Sequence, residues 1–396
     1  MKLRHGTPEE VGMSPARVRH LAELAKGWVE EGITPALVVL VARRGVIVLH
    51  EAFGCLGPEP GAPPLQRDSL FPLMSISKLI TATAAMILVE EGLLGLNRPV
   101  QWYLPEFVGE GKEQVCAHHL LTHTSGLRDE DLKAYAESRR WSVTIPPPAR
   151  TQHPLVHEWL SLIYDAPLWK APGAEMSYCT SNYELLGEIV RRVSGQSLTA
   201  FTRERIFQPL GMADTCWTVP DELRPRLVRR AADEPEADGV ARREKAPFAG
   251  AGAHSTALDM AIFGQMFLNR GIYGETRVLS PATVAAMTRN QIPGISARYD
   301  HEYFPEASWG LGWDVHGPKK SVDGSEPLSS ADSFFHSGGG RVGLWADPVY
   351  ELLGVFFSVL SKGGIPVGMR VAEDQVKLMA WRIDLFINAT TAAVVE

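Results

Sequence analysis

Cysteine is scarce: Cys55, Cys116, Cys179 and Cys216 are the only four in 396 residues, far apart and without a C-x-x-C pair. That excludes a disulfide-stapled scaffold and a thiolate zinc site of the usual spacing, and predicts reduced, mostly buried thiols in a cytoplasmic protein. No apolar run reaches the roughly 18 to 20 residues that cross a bilayer, so no membrane span is expected. The first ten residues, Met1 to Glu10, contain no apolar h-region, and no signal peptide is expected. Excess charge is also missing: the net charge is −7 with both signs scattered, which argues against nucleic-acid and anionic-membrane partners. No internal repeat or low-complexity tract stands out. What is present is core-forming material, 45% hydrophobic residues, in a chain long enough for one large domain or two to three average ones.

The hydrophobic periodicity is mixed. Ser14-Pro15 predicts the start of a helix of about 17 residues. Ala36 to Ala42 and Val46 to Ala52 then read as strands across Arg43-Arg44-Gly45. Near the other end, Ser333 to His336, Val342 to Ala346 and Glu351 to Leu360 read as strands, with Asp347-Pro348 as a turn, before a helix from Val371 to Asn388. Between them, 75–91, 180–194, 197–207 and 256–269 carry the helical period. The pattern predicts a mixed α/β fold: one antiparallel sheet built from both chain ends and flanked by helices, with a helical region inserted. The expected division is 1–68 with 249–396 for the sheet domain and 69–248 for the helical one, the active site at their interface. Residues 128–170, 219–247 and 314–332 read as irregular surface segments.

Ser75-Ile76-Ser77-Lys78 opens the 75–91 helix and sets a hydroxyl and an amine one turn apart. A serine hydroxyl is a weak nucleophile until a base sits within hydrogen-bond reach, and a lysine at i+3 is placed to be that base. S-x-x-K alone recurs about once in a few hundred windows by chance. Context adds weight, because the residues that follow are apolar nearly all the way round. Such a helix is buried, and a buried ammonium must be paired, neutralised or turned toward a cleft.

Two further groups complete a candidate site. Tyr178, just ahead of the 180–194 helix, offers a phenol that shuttles a proton when a lysine ammonium stabilises its phenolate. His336-Ser337-Gly338-Gly339-Gly340 follows a predicted strand, and its glycines allow backbone N–H groups to approach a ligand closely.

Ser75-x-x-Lys78, the Tyr178 block and His336-Ser337-Gly338 stand in the order and spacing of the three motifs of the serine β-lactamase-like family, which the chain resembles. That family includes class C β-lactamases, D-alanyl-D-alanine carboxypeptidases and family VIII carboxylesterases. His119 to Leu127, Pro209-Leu210-Gly211-Met212, Ser255 to Phe263 and Trp309 to Trp313 also resemble its blocks, so the likeness runs from about residue 10 to 390. It implies a β-lactamase-like fold, Ser75 as acylated nucleophile, Lys78 and Tyr178 as coupled base, and the N–H groups of Ser75 and Gly339 as oxyanion hole. It also implies substrate contacts from His336, Gly338, Thr180 and Trp309, and no metal or cofactor. His118-His119 and the pair His153 and His157 lack the Glu and third ligand of a zinc site.

Two departures bear on substrate. The second motif is Tyr-x-Asn in lactamases and peptidases, but Thr180 stands here, supplying one hydroxyl where a carboxamide supplies two donors and an acceptor. Asn182 substitutes only if the loop shifts. His336 replaces the lysine of many lactamases, so a fixed cation for a substrate carboxylate is missing. Both changes favour a neutral small-molecule ester: histidine at this position looks like the esterase and aminopeptidase branches, and the chain most resembles the family VIII carboxylesterases. Trp141, Trp159, Trp169, Trp309 and Trp313 suggest a hydrophobic acyl or alcohol pocket. An amidase, D-aminopeptidase or weak β-lactamase would use the same residues, as would an acyltransferase; a non-catalytic binding protein is the remaining alternative.

Overall fold

The computed structural model describes residues 1–229, 246–299, 302–317, 327–359 and 373–396. Its centre is a seven-stranded sheet drawn from both ends of the chain. In chain order the strands are β1 (Arg4–His5), β2 (Ala36–Arg43), β3 (Val46–Gly54), β4 (Asp314–Val315), β5 (Phe334–Gly338), β6 (Val342–Asp347) and β7 (Leu352–Ser358). They lie in the spatial order β1-β3-β2-β7-β6-β5-β4. Every pairing is antiparallel except that of β1 with β3. Arg44 and Gly45 sit in the left-handed region at φ 48° and 75°, the backbone that a two-residue hairpin turn requires between twisted strands.

The central strands explain why the sequence runs apolar there without alternation. On β2, Val38, Leu40 and Ala42 enter the core on one face of the sheet, while Leu37, Val39 and Val41 enter a second core on the other. β7 does the same, with Leu353, Val355 and Phe357 on the first face and Leu352 and Phe356 on the second. Both faces are therefore covered. Helices α1 (Pro15–Glu30) and α6 (Glu373–Thr391) pack on the second face. Ser14 caps α1, its Oγ accepting the Arg17 N–H at 3.4 Å.

The first face carries α5 (Ala257–Leu268) and the inserted helical region. Its centre is α2 (Ser77–Glu90), where twelve residues from Ser77 to Leu88 are buried. α2 packs against α4 (Ser181–Ser194). The expected α/β fold with a sheet from both ends is what the chain adopts.

Residues 128–170, read from sequence as irregular, contain α3 (Asp129–Arg139) and a helix over Pro154–Ile163. α3 buries only Leu132 and Ala136, so its apolar stripe is too thin to show as a period. The segment around Asp233 to Glu236, part of the 314–332 loop, Leu360 and the start expected at Val371 lie outside the described residues. The four cysteines are unpaired; Cys179 alone is buried and Cys55 is exposed, so the expectation of mostly buried thiols is corrected. Among the described residues no helix is long and apolar enough to cross a membrane.

Candidate active site

Ser75 lies in a single 3-10 turn, Met74–Ile76, that runs directly into α2. The turn is entered through Met74 in the left-handed region, φ 50°, a backbone state that costs a non-glycine residue about 1 kcal/mol or more and that the surrounding packing holds. Two short strands fix this entry: Phe71–Pro72 pairs with His254–Ser255, and the Leu73 N–H donates to the Ala253 carbonyl at 2.8 Å.

Lys78 is fully buried one turn later, and its Nζ donates to Ser75 Oγ at 3.0 Å and to the Gly250 carbonyl at 2.9 Å. A third, longer contact reaches Thr180 Oγ1 at 3.5 Å. Nζ also lies 4.8 Å from the centroid of the Tyr178 ring. The buried cation is thus surrounded by oxygen acceptors and an aromatic face, which offset its desolvation.

Tyr178 reaches this point because Met176–Ser177 pairs with Ala297–Tyr299 and the next residues are captured by Asp129. Asp129 accepts the Thr180 N–H at 2.6 Å, the Ser181 N–H at 3.0 Å and the Ser181 hydroxyl at 2.9 Å. A carboxylate on the first N–H groups of α4 is favoured by the helix dipole as well as by the bonds themselves. The His123 ring lies 4.3 Å from the Tyr178 ring, and its Nδ1 accepts the Cys179 N–H at 3.1 Å, which leaves the hydrogen on Nε2. Burial, with Lys78 and His336 nearby, holds His123 well below the ordinary histidine range.

His336, Ser337 and Gly338 form the end of β5, with Gly339 exposed just beyond. A side chain at Gly338 would meet the Leu73 carbonyl at 2.4 Å and Met74 Cβ at 3.0 Å, so glycine lets this strand press against the turn that carries Ser75. His336 is buried, with Nδ1 2.7 Å from the Ser337 carbonyl. Its ring lies 5.8 Å from Trp309 and 6.5 Å from Tyr178. The structure therefore gathers Ser75, Lys78, Tyr178, Thr180, Trp309, His336 and the Gly338-Gly339 pair around one point.

Other sequence-based expectations do not meet there. Asn182 is buried in α4, where its Oδ1 accepts the Ser125 hydroxyl at 2.7 Å, so it does not replace the missing asparagine. Trp313 packs in the core against Phe267 and Phe334, Trp159 packs against that core, Trp141 is 92% exposed, and Trp169 lies under the Arg128 guanidinium. Of the five tryptophans proposed as a pocket, Trp309 alone is in ring contact with the site, and the expectation is corrected to that residue. His153 Nδ1 accepts the Leu155 N–H, and His157 Nε2 lies 2.7 Å from the Pro146 carbonyl.

Asp129, His123, Glu184 and Gly250 were not singled out from sequence. Each acts on the site through a contact between distant parts of the chain. A cavity of about 430 Å³ lies away from Ser75, lined by Arg150, His153, Glu184, Glu188, Arg191 and Ala249 among others. It backs onto the segment that holds Lys78.

A family model described as Beta-lactamase matches residues 21–378, nearly the whole chain and all of these site residues. The chain belongs to the beta-lactamase family. Esterase EstB of Burkholderia gladioli is 39% identical over 203 residues, an alignment spanning 50% of this chain and 51% of that protein. This chain thus spans about half the length of EstB. Penicillin-binding protein 4 of Amycolatopsis lactamdurans is 33% identical over 283 residues, 68% of each chain. Among solved structures, a penicillin-binding protein homolog from Caulobacter crescentus superposes with a TM-score of 0.73 at 23% identity, covering 96% of this chain and 99% of that one. The beta-lactamase-like fold is therefore shared over nearly all of the chain.

Proposed function

We propose that this family member is a serine carboxylesterase working through an acyl-enzyme on Ser75. The observation that carries the reading is Lys78 Nζ, 3.0 Å from Ser75 Oγ and 4.8 Å from the Tyr178 ring centroid in a buried setting. In the resting site Lys78 donates to the Gly250 carbonyl, an acceptor with nothing to give back, and to two hydroxyl oxygens. That arrangement suits an ammonium, and an ammonium beside a phenol favours the phenolate. Lys78 and Tyr178 then act as one base: the Ser75 proton leaves as Oγ attacks the ester carbonyl, and it is returned to the departing alcohol through Tyr178. The backbone N–H groups of Ser75 and Gly339 hold the developing oxyanion. Water attacks the acyl-serine in the second half, releasing the carboxylic acid and restoring the hydroxyl.

Preference for esters rests on Thr180 and His336. Thr180 offers one hydroxyl, at 3.5 Å from Lys78, where Tyr-x-Asn relatives offer a carboxamide. His336 supplies no permanent cation for a carboxylate, and with Gly338 and Trp309 it lines the acyl side. EstB, named as an esterase, supports the reading, and four unpaired thiols support a cytoplasmic, reducing setting. The likeness to Penicillin-binding protein 4 keeps an amide-cleaving reading as the second choice. A panel of p-nitrophenyl acetate and butyrate, p-nitroanilides and nitrocefin separates them. Higher kcat/KM on the esters is expected, and a preference for nitrocefin or anilides would overturn the ester assignment.

A further inference from the structure

Lys78 is held by the carbonyl of Gly250, so the placement of that peptide decides where the ammonium sits relative to Ser75. The segment 249–253 is itself pinned by side chains from two helices. Thr81 Oγ1 on α2 donates to the Ala249 carbonyl at 2.8 Å, and Ser77 Oγ accepts the Ala253 N–H at 3.0 Å. From α4, Glu184 accepts the Ala249 N–H on one carboxylate oxygen and the Gly250 N–H on the other, both at 2.9 Å. Gly250 has no latitude of its own. A side chain there would lie 2.6 Å from Thr180 Cγ2, 2.9 Å from the Thr180 carbonyl and 3.2 Å from Glu184 Oε1.

Glu184 is only 4% exposed, and among the described residues no cationic side chain is bonded to it. A buried carboxylate is expensive unless its bonds return the cost, and both of its oxygens are committed to this one peptide segment. We propose that Glu184 is a positioning residue for Lys78: by gripping the Ala249 and Gly250 N–H groups it fixes the carbonyl that aims the ammonium at Ser75. The inference rests on Lys78 acting as the base partner of Ser75.

The grip depends on protonation. A neutral carboxyl keeps one good acceptor and turns the other oxygen into a donor facing an N–H group. Burial pushes Glu184 up to about 7, against the two N–H bonds and the Lys78 ammonium, which pull it down, while Asp129 adds to the upward push. The cavity behind it is also lined by Arg150 and His153, and by Glu188 and Arg191 farther along α4; both Arg191 and Arg192 are bonded to Glu188. Glutamine at 184 imitates the protonated state at every pH.

The test is steady-state hydrolysis of p-nitrophenyl acetate by the full chain between pH 6 and 8.5, comparing wild type, Glu184→Gln, Thr81→Val and Lys78→Ala. Glu184→Gln is expected to lower kcat at pH 8.5 by about 10- to 100-fold, the range for misplacing a catalytic group by a fraction of an ångström to an ångström, with KM within about twofold. The gap from wild type should narrow toward pH 6, where the wild-type carboxyl is itself protonated. A loss equal at all pH values, a loss confined to KM, or an unchanged kcat would overturn the inference. Should Glu184→Gln not fold, Thr81→Val, which removes one of the segment's side-chain bonds to α2 while keeping the side chain's shape, should lower kcat several-fold at constant KM, and full activity there would contradict the proposal. Wild-type activity in Lys78→Ala would remove the base assignment itself; an inactive Lys78→Ala beside fully active Glu184→Gln and Thr81→Val would remove only the role of Glu184.

Discussion

A lysine buried to 0% exposure is tolerable only because oxygen atoms and an aromatic face surround it, and one of those oxygens is Ser75 Oγ. The cost of burial is thereby converted into aim. If Lys78 and Tyr178 share one proton, Lys78→Ala and Tyr178→Phe should each slow the chemical step by about two to four orders of magnitude, the usual effect of removing a positioned base. The double variant should be scarcely worse than either single one, because both act on the same event. Single-turnover rates that multiply independently would contradict the coupled base. Ser75 and Lys78 could be proposed from sequence because S-x-x-K is a local geometry one turn long, and Tyr178 from its place ahead of the 180–194 helix and the resemblance of its block. The Gly250 carbonyl lies 172 residues from Lys78, and Glu184 lies 66 residues from Gly250, so nothing in the local pattern marks either.

At the scale of elements, α4 matters through its first turn. Asp129, at the start of α3, ties three donors of Thr180 and Ser181, so two helices that are distant in sequence meet at the second motif. Asp129→Ala leaves these part-buried groups to water or to nothing and should cost roughly 1 to 3 kcal/mol by denaturant unfolding, the range for bonds to a charged acceptor. It should also lower kcat by loosening Tyr178. Unchanged stability together with unchanged activity would show that another group caps α4. The long helices were legible because their periodicity spans many residues, and the central strands because they are continuous apolar runs bounded by turn signals; α3 was missed because only Leu132 and Ala136 face the core. The turn at Arg44-Gly45 was legible from glycine, whereas the left-handed Met74 and His123 are imposed by packing that no local sequence announces.

The whole molecule closes its sheet with strands from both ends, and Arg43 on β2 fastens those ends by donating to the carbonyls of Val11, Gly12, Tyr350 and Glu396. The architecture was legible because β2 and β7 are apolar on both faces, as strands covered on both sides must be. Its interior also stores a pH dependence. Burial holds His50, His119 and His254 at about 4 and also lowers His118 and His123 from the ordinary histidine range. Unfolded chains take up protons at these histidines below about 6.5 while the folded ones do so only at lower pH, near 4 for His50, His119 and His254, so their contribution to stability is lost as pH falls through that window. Burial raises Asp259 to about 6 and Glu184 to about 7, and these two oppose the trend, since a raised carboxyl favours the fold at low pH. Five lowered histidines outweigh two raised carboxyls, and Tm by calorimetry should fall between pH 6.5 and 4.5; a flat or rising Tm would contradict the balance.

The proposed reaction passes through a covalent acyl group on one serine. Intact-mass spectrometry after brief mixing with p-nitrophenyl butyrate, followed by peptide mapping, tests it most directly. A single butyryl adduct on Ser75, absent together with ester turnover in Ser75→Ala, is the expected result. An adduct on Ser77, or substantial turnover by Ser75→Ala, would contradict it.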